Sequence, residues 1–294
     1  MVVVQLTGGL GNQLFQYATA KALSSCNQQT VFLDIQSYQW DKLRVYELEK
    51  FNIKAQIADQ EISNKIKNSN VSFIDKFKHF LTNTDIKYYR LPYIKEQNFS
   101  FDQNFNKFRN KHVYLEGYWQ SELYFYNVRN EIITEIRDFN LLKYNSIKLY
   151  QKITSKKCPI SLHVRRGDYV DNKNTNEYHG TCSNEYYKNA IQLIEKEIDD
   201  VHFFVFSDDK EYVNEFYKDS SKFTIINDIH YDYEELLLMS ACKHHIIANS
   251  SFSWWGAWLN PNSEKRVIAP INWFKNKDMQ KQISNLLPSN WVKI

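Results

Sequence analysis

Several absences narrow what this chain can be. No apolar stretch approaches the ~18 residues that a membrane span needs, and nothing ahead of Val2-Val3-Val4-Gln5-Leu6 resembles the basic start of a secretory signal. Cysteine is sparse, four in 294 residues, and Cys26, Cys158, Cys182 and Cys242 form no C-x-x-C, so this is not a disulfide scaffold. A charge excess is missing too. Lys plus Arg is 37 against 34 for Asp plus Glu, a net charge of +3, which argues against a nucleic-acid partner because that function needs clustered basic excess. The expectation is a cytoplasmic protein, and the balance leaves room for peripheral contact with an anionic inner-membrane leaflet. Glycine is scarce as well, yet three of the seven glycines crowd into Gly8-Gly9-Leu10-Gly11. In place of these features stand 43% hydrophobic and 16% aromatic residues. That is too much core material for disorder, and the length accommodates one large domain or two of about 150 residues.

The chain opens with a strand, Val2 to Leu6, a glycine turn, a helix from near Asn12 and a strand over residues 30–33 that closes at Asp34. Leu14, Phe15, Ala18 and Ala22 recur at helical spacing. Residues 36–110 lack clean periodicity and read as short helices and loops. Residues 112–115 read as a strand, and the polar stretch 140–157 reads as a domain junction. Beyond it, short strands and helices alternate regularly to about residue 269. Such alternation specifies parallel sheet covered on both faces, and ligands bind beyond the carboxyl ends of such strands.

Four segments at those ends carry candidate chemistry. Gly8-Gly9-Leu10-Gly11-Asn12-Gln13 lies between strand and helix, where bare backbone N–H groups and a helix start attract anions. It partly fits a dinucleotide fingerprint, with Gly9, Gly11 and Asp34, but Leu14 occupies the third small position. His163-Val164-Arg165-Arg166-Gly167-Asp168 follows a strand. Guanidinium binds phosphate oxygens bidentately, and period two places His163 and Arg165 on one face with Arg166 opposite. Ser207-Asp208-Asp209 suits a divalent cation, a base-reading contact or a helix cap. Ser250-Ser251-Phe252-Ser253 opens a helix as an anion cradle, with three tryptophans behind it as packing. Glu116-Gly117-Tyr118-Trp119-Gln120 has the aromatic and polar mix of a sugar platform. His244-His245 lacks the spacing of a zinc site.

Together the stretches GGLGNQLFQYA, HVRRGDYV, FSDD, HHIIANSSFSWWGAWLN and EGYWQSELYF resemble the inverting alpha-1,2-fucosyltransferases of glycosyltransferase family 11. The resemblance implies an α/β GT-B fold, two Rossmann-like domains with parallel sheets facing across a cleft. These would be an acceptor-side domain over 1–150 and a GDP-fucose-binding domain over 151–294, with the last residues candidates for packing back on the first. It implies transfer of L-fucose from GDP-fucose to the 2-hydroxyl of a galactose-terminated acceptor glycan, beta to alpha, with no metal and no cofactor.

Matched position by position, Arg165 resembles the arginine on the donor's beta-phosphate, with His163 beside it, and Asp168 completes the catalytic set. The base itself stays open among Asp168, Asp171 and Glu177. Ser251, Phe252 and Ser253 resemble the diphosphate cradle. Ser207, Asp208 and Asp209 lie on the donor side, with Asp208 resembling a guanine reader. Gly9, Gly11 and Asn12 resemble the wall where donor meets acceptor, and Gln13, Glu116, Tyr118 and Gln120 are acceptor-side candidates. Two other readings compete: a nicotinamide-dependent oxidoreductase, and a non-catalytic carbohydrate-binding protein.

Overall fold

A computed structural model describes residues 1–26, 28–63, 93–109, 111–167, 180–227, 229 and 231–294. The chain divides into two compact units, Met1–Ile132 and Ile133–Ile294. Each contains one parallel α/β sheet, the architecture that strand–helix alternation specifies.

In the first unit, β1 (Val2–Gln5) lies at the centre of the order β3-β2-β1-β5-β4, with β2 (Val31–Asp34), β3 (Gln56–Ile57), β4 (Tyr93–Lys95) and β5 (Val113–Glu116) all parallel to their neighbours. Val2, Val3 and Val4 are completely buried, as a run of β-branched residues covered on both faces should be. Each contributes about 1.5–3 kcal/mol of apolar burial as an upper figure. Helix α1 (Leu10–Ser25) begins two residues before the expected Asn12, with Gly9 as its N-cap. Leu14, Phe15, Ala18 and Ala22 are buried as their spacing requires, but so are Gln13, Gln16, Thr19 and Lys21. The helix is enclosed on most sides, and two of its buried polar side chains are paired. Gln16 Nε2 donates to the Gly117 carbonyl at 3.0 Å, and Lys21 pairs with Glu131 at 3.2 Å. Among the described residues, the irregular stretch after β2 includes 3-10 turns at Gln36–Gln39, Leu48–Lys50 and Phe105–Phe108 and the two-residue strand β3.

Helix α2 (Arg129–Ile136) spans the division between the units. The stretch expected as a junction forms a 3-10 turn at Phe139–Leu141 and helix α3 (Tyr144–Thr154) of the second unit. The expected break at 150/151 therefore falls inside a helix. The polar residues that suggested a linker are that helix's solvated face, while Ser146 and Ile153 are buried.

The second sheet has the order β11-β10-β9-β6-β7-β8, again parallel throughout. Its strands are β6 (Cys158–Val164), β7 (Val201–Ser207), β8 (Phe223–Ile225), β9 (His244–Ile246), β10 (Val267–Ala269) and β11 (Val292–Lys293). Four longer helices connect them: α4 (Asn184–Glu197), α5 (Lys210–Tyr217), α6 (Asp232–Ala241) and α7 (Ser251–Trp258). A short α8 (Lys277–Gln280) precedes the last strand. Counted from β6, the order is that of the doubly wound dinucleotide-binding sheet, whose direction reverses between β6 and β9. The last residues extend this sheet through β11 beside β10. Trp254, Trp255 and Trp258 are buried packing, as expected. Gly256 admits α6 closely, since a Cβ there would lie 3.0 Å from Met239 Cβ.

Candidate active site

The reversal point of the second sheet lies between two of the four motif segments. Leaving β6, the chain runs through Arg165 and Arg166; leaving β9, it turns through Asn249 and Ser250 into α7. His163 and Phe252 join them, with ring centroids 5.8 Å apart.

The paired acids are spent on the paired arginines. Arg165 Nη1 meets Asp208 Oδ2 at 3.1 Å, and the Arg166 amide donates to Asp208 Oδ1 at 2.8 Å. Arg166 has a different partner. Its Nε donates to Asp209 Oδ2 at 3.1 Å, and its guanidinium covers the Tyr212 ring at 3.8 Å. Asp209 also caps α5, its Oδ1 accepting from the Tyr212 amide at 3.0 Å. Ser207 Oγ accepts from the Asp209 amide at 3.0 Å, so its hydroxyl shapes this turn. Gly167 is required for close approach, because a Cβ there would stand 2.5 Å from Asp208 Oδ2. Asp168, Asp171 and Glu177 lie outside the described residues.

Behind Arg165 lies a buried titratable group. His163 is 3% exposed, and its Nδ1 has no hydrogen-bond partner among the described residues. Burial, then the charges of Arg165 and Lys210, push its pKa down to about 3, so the imidazole is neutral. Lys210 Nζ donates to the Ile226 carbonyl at 2.5 Å. Glu235 on α6 was not anticipated. Its Oε1 is buried without a partner among the described residues, and burial raises its carboxyl to about 7. Lys210 and Arg165 act against that rise, whereas Asp232 and Asp208 add to it. The only trace in the sequence is an acid repeated at the start of an apolar helix, which ordinarily signifies dipole complementation.

At the start of α7 the expected cradle is partly closed. Ser253 Oγ donates back to the carbonyls of Ala248 and Ser250 at 3.2 and 3.3 Å and is buried. Its hydroxyl therefore serves the turn and is not presented to a ligand. Ser251 and Phe252 are half-buried, and the N-cap Ser250 makes no side-chain cap bond. What such a turn offers an anion is then the first backbone N–H groups of the helix. Asn249 holds the turn, its Nδ2 donating to the carbonyls of Gly180 at 3.0 Å and Trp273 at 3.1 Å.

In the first unit, the glycine turn and the 116–120 segment leave β1 and β5, which pair side by side in that sheet. Gly8 needs φ +77°, and a Cβ there would lie 2.5 Å from Asn12 Nδ2. Gly9 and Gly11 follow as the N-cap and second residue of α1. Asn12 Oδ1 accepts from Gln120 Nε2 at 2.9 Å, which brings two of the expected residues together. Gln13 is a correction. It is fully buried, donates to the Gly8 and Val45 carbonyls at 3.1 and 2.8 Å and accepts from the Glu47 amide at 2.9 Å. It clamps a loop and cannot touch an acceptor. Glu116 is engaged by the Tyr93 hydroxyl and by Lys95 Nζ at 3.0 Å. Tyr118 is 37% exposed. The nicotinamide reading loses its acid. Asp34 is buried, with Oδ2 accepting from the Tyr114 hydroxyl at 2.6 Å and Oδ1 from the Gln36 amide at 3.0 Å. No helix among the described residues is long and apolar enough to cross a membrane.

Comparison with known proteins finds sequence relatives along the whole chain. The family model described as Glycosyl transferase family 11 matches residues 1–294. An O-antigen biosynthesis glycosyltransferase WbnK of Escherichia coli is 32% identical over 305 residues, covering 98% of this chain and 99% of that protein. An alpha-1,2-colitosyltransferase of Escherichia coli is 33% identical over 304 residues, covering 100% and 99%. Among solved structures, fucosyltransferase NodZ from Bradyrhizobium aligns with a TM-score of 0.49 at 12% identity, over 87% of this chain and 92% of that one. With a family model matched from end to end, this chain belongs to glycosyl transferase family 11.

Proposed function

We propose that this enzyme transfers L-fucose from GDP-fucose to the 2-hydroxyl of a terminal galactose in an oligosaccharide or glycolipid, inverting beta to alpha without a metal. One observation carries the reading: an arginine held by Asp208 and the open start of α7 flank the reversal point of a doubly wound sheet. Loss of GDP leaves charge on a phosphate oxygen. A guanidinium fork and helix N–H groups stabilise that charge as it develops, and one such preorganised partner is worth roughly 3–4 kcal/mol in the transition state. Neutral His163 adds no competing charge beside Arg165, and Glu235, raised to about 7, withholds part of its own.

Asp208 was the expected guanine reader. Because both its oxygens are engaged by Arg165 and the Arg166 amide, we assign it to positioning Arg165. Asp209 holds Arg166 and caps α5, and the cationic groups already present make a metal unnecessary. GDP-fucose is thus a substrate, and no cofactor takes part. The relative named as a colitosyltransferase favours a second donor, colitose, which differs from fucose by one missing ring hydroxyl.

The test is calorimetric titration with GDP and with NADH, followed by mass detection of product from GDP-fucose and a galactoside panel in excess EDTA. Tight GDP binding, no NADH binding and a fucosylated product support the reading. Loss of activity under EDTA that Mn²⁺ restores would return Asp208 and Asp209 to a metal role. A sugar ligand bound without any turnover would favour the non-catalytic reading.

A further inference from the structure

The first unit contains a cavity of about 330 Å³ at the carboxyl ends of β4 and β5. That is at the small end of ligand sites, about 300–1,000 Å³, and suits one sugar ring. Its inner wall is aromatic. Phe101, Trp119 and Tyr124 line it, with Tyr124 packed edge-on to both other rings at centroid distances of 4.8 and 5.4 Å. The polar lining is rich in amides, namely Gln97, Asn98, Gln103 and Asn104. Amide side chains both donate and accept, which matches sugar hydroxyls. The charged lining residues are Glu96, Asp102 and Lys95, and Lys95 is paired with Glu116 at 3.0 Å. The remaining balance is acidic and disfavours a phosphate.

Glu96 is the centre of the site. Its Oε2 accepts from the Tyr118 amide at 2.7 Å and its Oε1 from the Trp119 amide at 3.0 Å. The backbone it holds is unusual, with φ +153° at Gly117 and φ +57° at Trp119. A left-handed tryptophan costs about 1–2 kcal/mol, and such residues cluster at ligand sites. Gly117 cannot be replaced there, since a Cβ would lie 2.4 Å from Glu96 Cβ. Trp119 Nε1 is buried without a partner among the described residues. Burial raises the Glu96 carboxyl to about 7, although the two amides oppose it, so at neutral pH it can donate as well as accept.

We infer that this cavity binds a neutral pyranose ring of the acceptor glycan, with Glu96 and the surrounding amides reading its hydroxyls against the Phe101–Trp119–Tyr124 wall. The inference rests on the glycosyl-transfer reading above and extends it from the 116–125 segment to Glu96 and the 97–104 loop, which the sequence motifs did not include.

The test compares wild type with Glu96→Gln and Gln103→Ala, using lactose as probe. Lactose binding is followed by saturation-transfer NMR without donor, its KM is measured with GDP-fucose, and GDP binding is measured calorimetrically. Gln103 is exposed, so its variant keeps the fold even if Glu96→Gln loosens the 117–119 turn. The expected result is a lactose KM raised about tenfold per lost hydrogen bond, with GDP affinity unchanged in both variants. An unchanged lactose KM in both folded variants would overturn the site while leaving fucosyl transfer intact. Lactose bound in the cavity by a wild-type protein that neither binds GDP nor transfers fucose would keep the site and remove the reaction. A Glu96→Gln protein with a lowered melting temperature and ordinary lactose KM would assign Glu96 to the turn alone and also overturn the inference.

Discussion

Arg165 and Arg166 are adjacent and carry the same charge, yet they have different tasks. Arg165 is oriented by Asp208 at the reversal point, while Arg166 is locked between Asp209 and the Tyr212 ring. Replacing Arg165 with Lys keeps the charge and loses the fork. We expect turnover per folded molecule to fall about a hundredfold, roughly 3 kcal/mol, at an unchanged melting temperature. Arg166→Lys should lower the melting temperature, with activity tracking folded protein. Parallel turnover and thermal-melt measurements check both, and the reverse pattern would exchange the two assignments. Alternation along an extended segment made it expected that the two side chains point apart, and they have different acid partners, Asp208 and Asp209. Glu235 was not legible, because the charges that act on it from outside its own helix, Arg165, Asp208 and Lys210, are far from it in sequence, and no local pattern brings them together. Its pH effect has a definite sign. The folded carboxyl sits at about 7 against an ordinary 4.5, so the stability it contributes is complete below about pH 4.5 and is lost as pH rises through about 7. Glu235→Gln removes that dependence. Its melting temperature relative to wild type should therefore rise across this window, and a flat difference would show that the carboxyl is not held up.

Two glycines set the geometry of the elements that carry the sites. Gly167→Ala places a Cβ 2.5 Å from Asp208 Oδ2 and 3.1 Å from its Cγ. The Asp208 side chain must then swing away from Arg165 and the Arg166 amide. We expect activity to fall at least tenfold with a small change in melting temperature, as steady-state kinetics on folded protein would show. Gly8→Ala meets both a left-handed backbone and Asn12, and should lower stability by about 1–2 kcal/mol; a denaturant midpoint equal to wild type would contradict this. The strands and helices from β6 to β10 were legible as a regular alternation because apolar segments alternate with turn segments there. The stretch after β2 was opaque for a physical reason. Single 3-10 turns and strands as short as Gln56–Ile57 are too brief to show a period. The expected junction at 140–157 failed because α3 buries only a narrow face, which leaves a sequence nearly as polar as a linker.

At the scale of the whole chain, two parallel sheets each place motif segments just beyond the carboxyl ends of their strands, and in the second sheet two of them flank the reversal of strand order. The donor-side groups lie in the second unit and the cavity of Glu96 in the first. Positive potential from arginines and a helix start replaces a cation in this account, so exhaustive dialysis against EDTA should leave transfer essentially unchanged. The same account requires Arg165 to act on the departing diphosphate and not on the fold. The most direct measurement is linkage analysis by NMR of the product formed from GDP-fucose and lactose in EDTA, for wild type and for Arg165→Lys. The account predicts a single alpha-1,2-fucosyl galactoside from wild type and about one-hundredth of that rate from a well-folded Arg165→Lys. A different linkage, a retained beta configuration, or full activity in Arg165→Lys would contradict it.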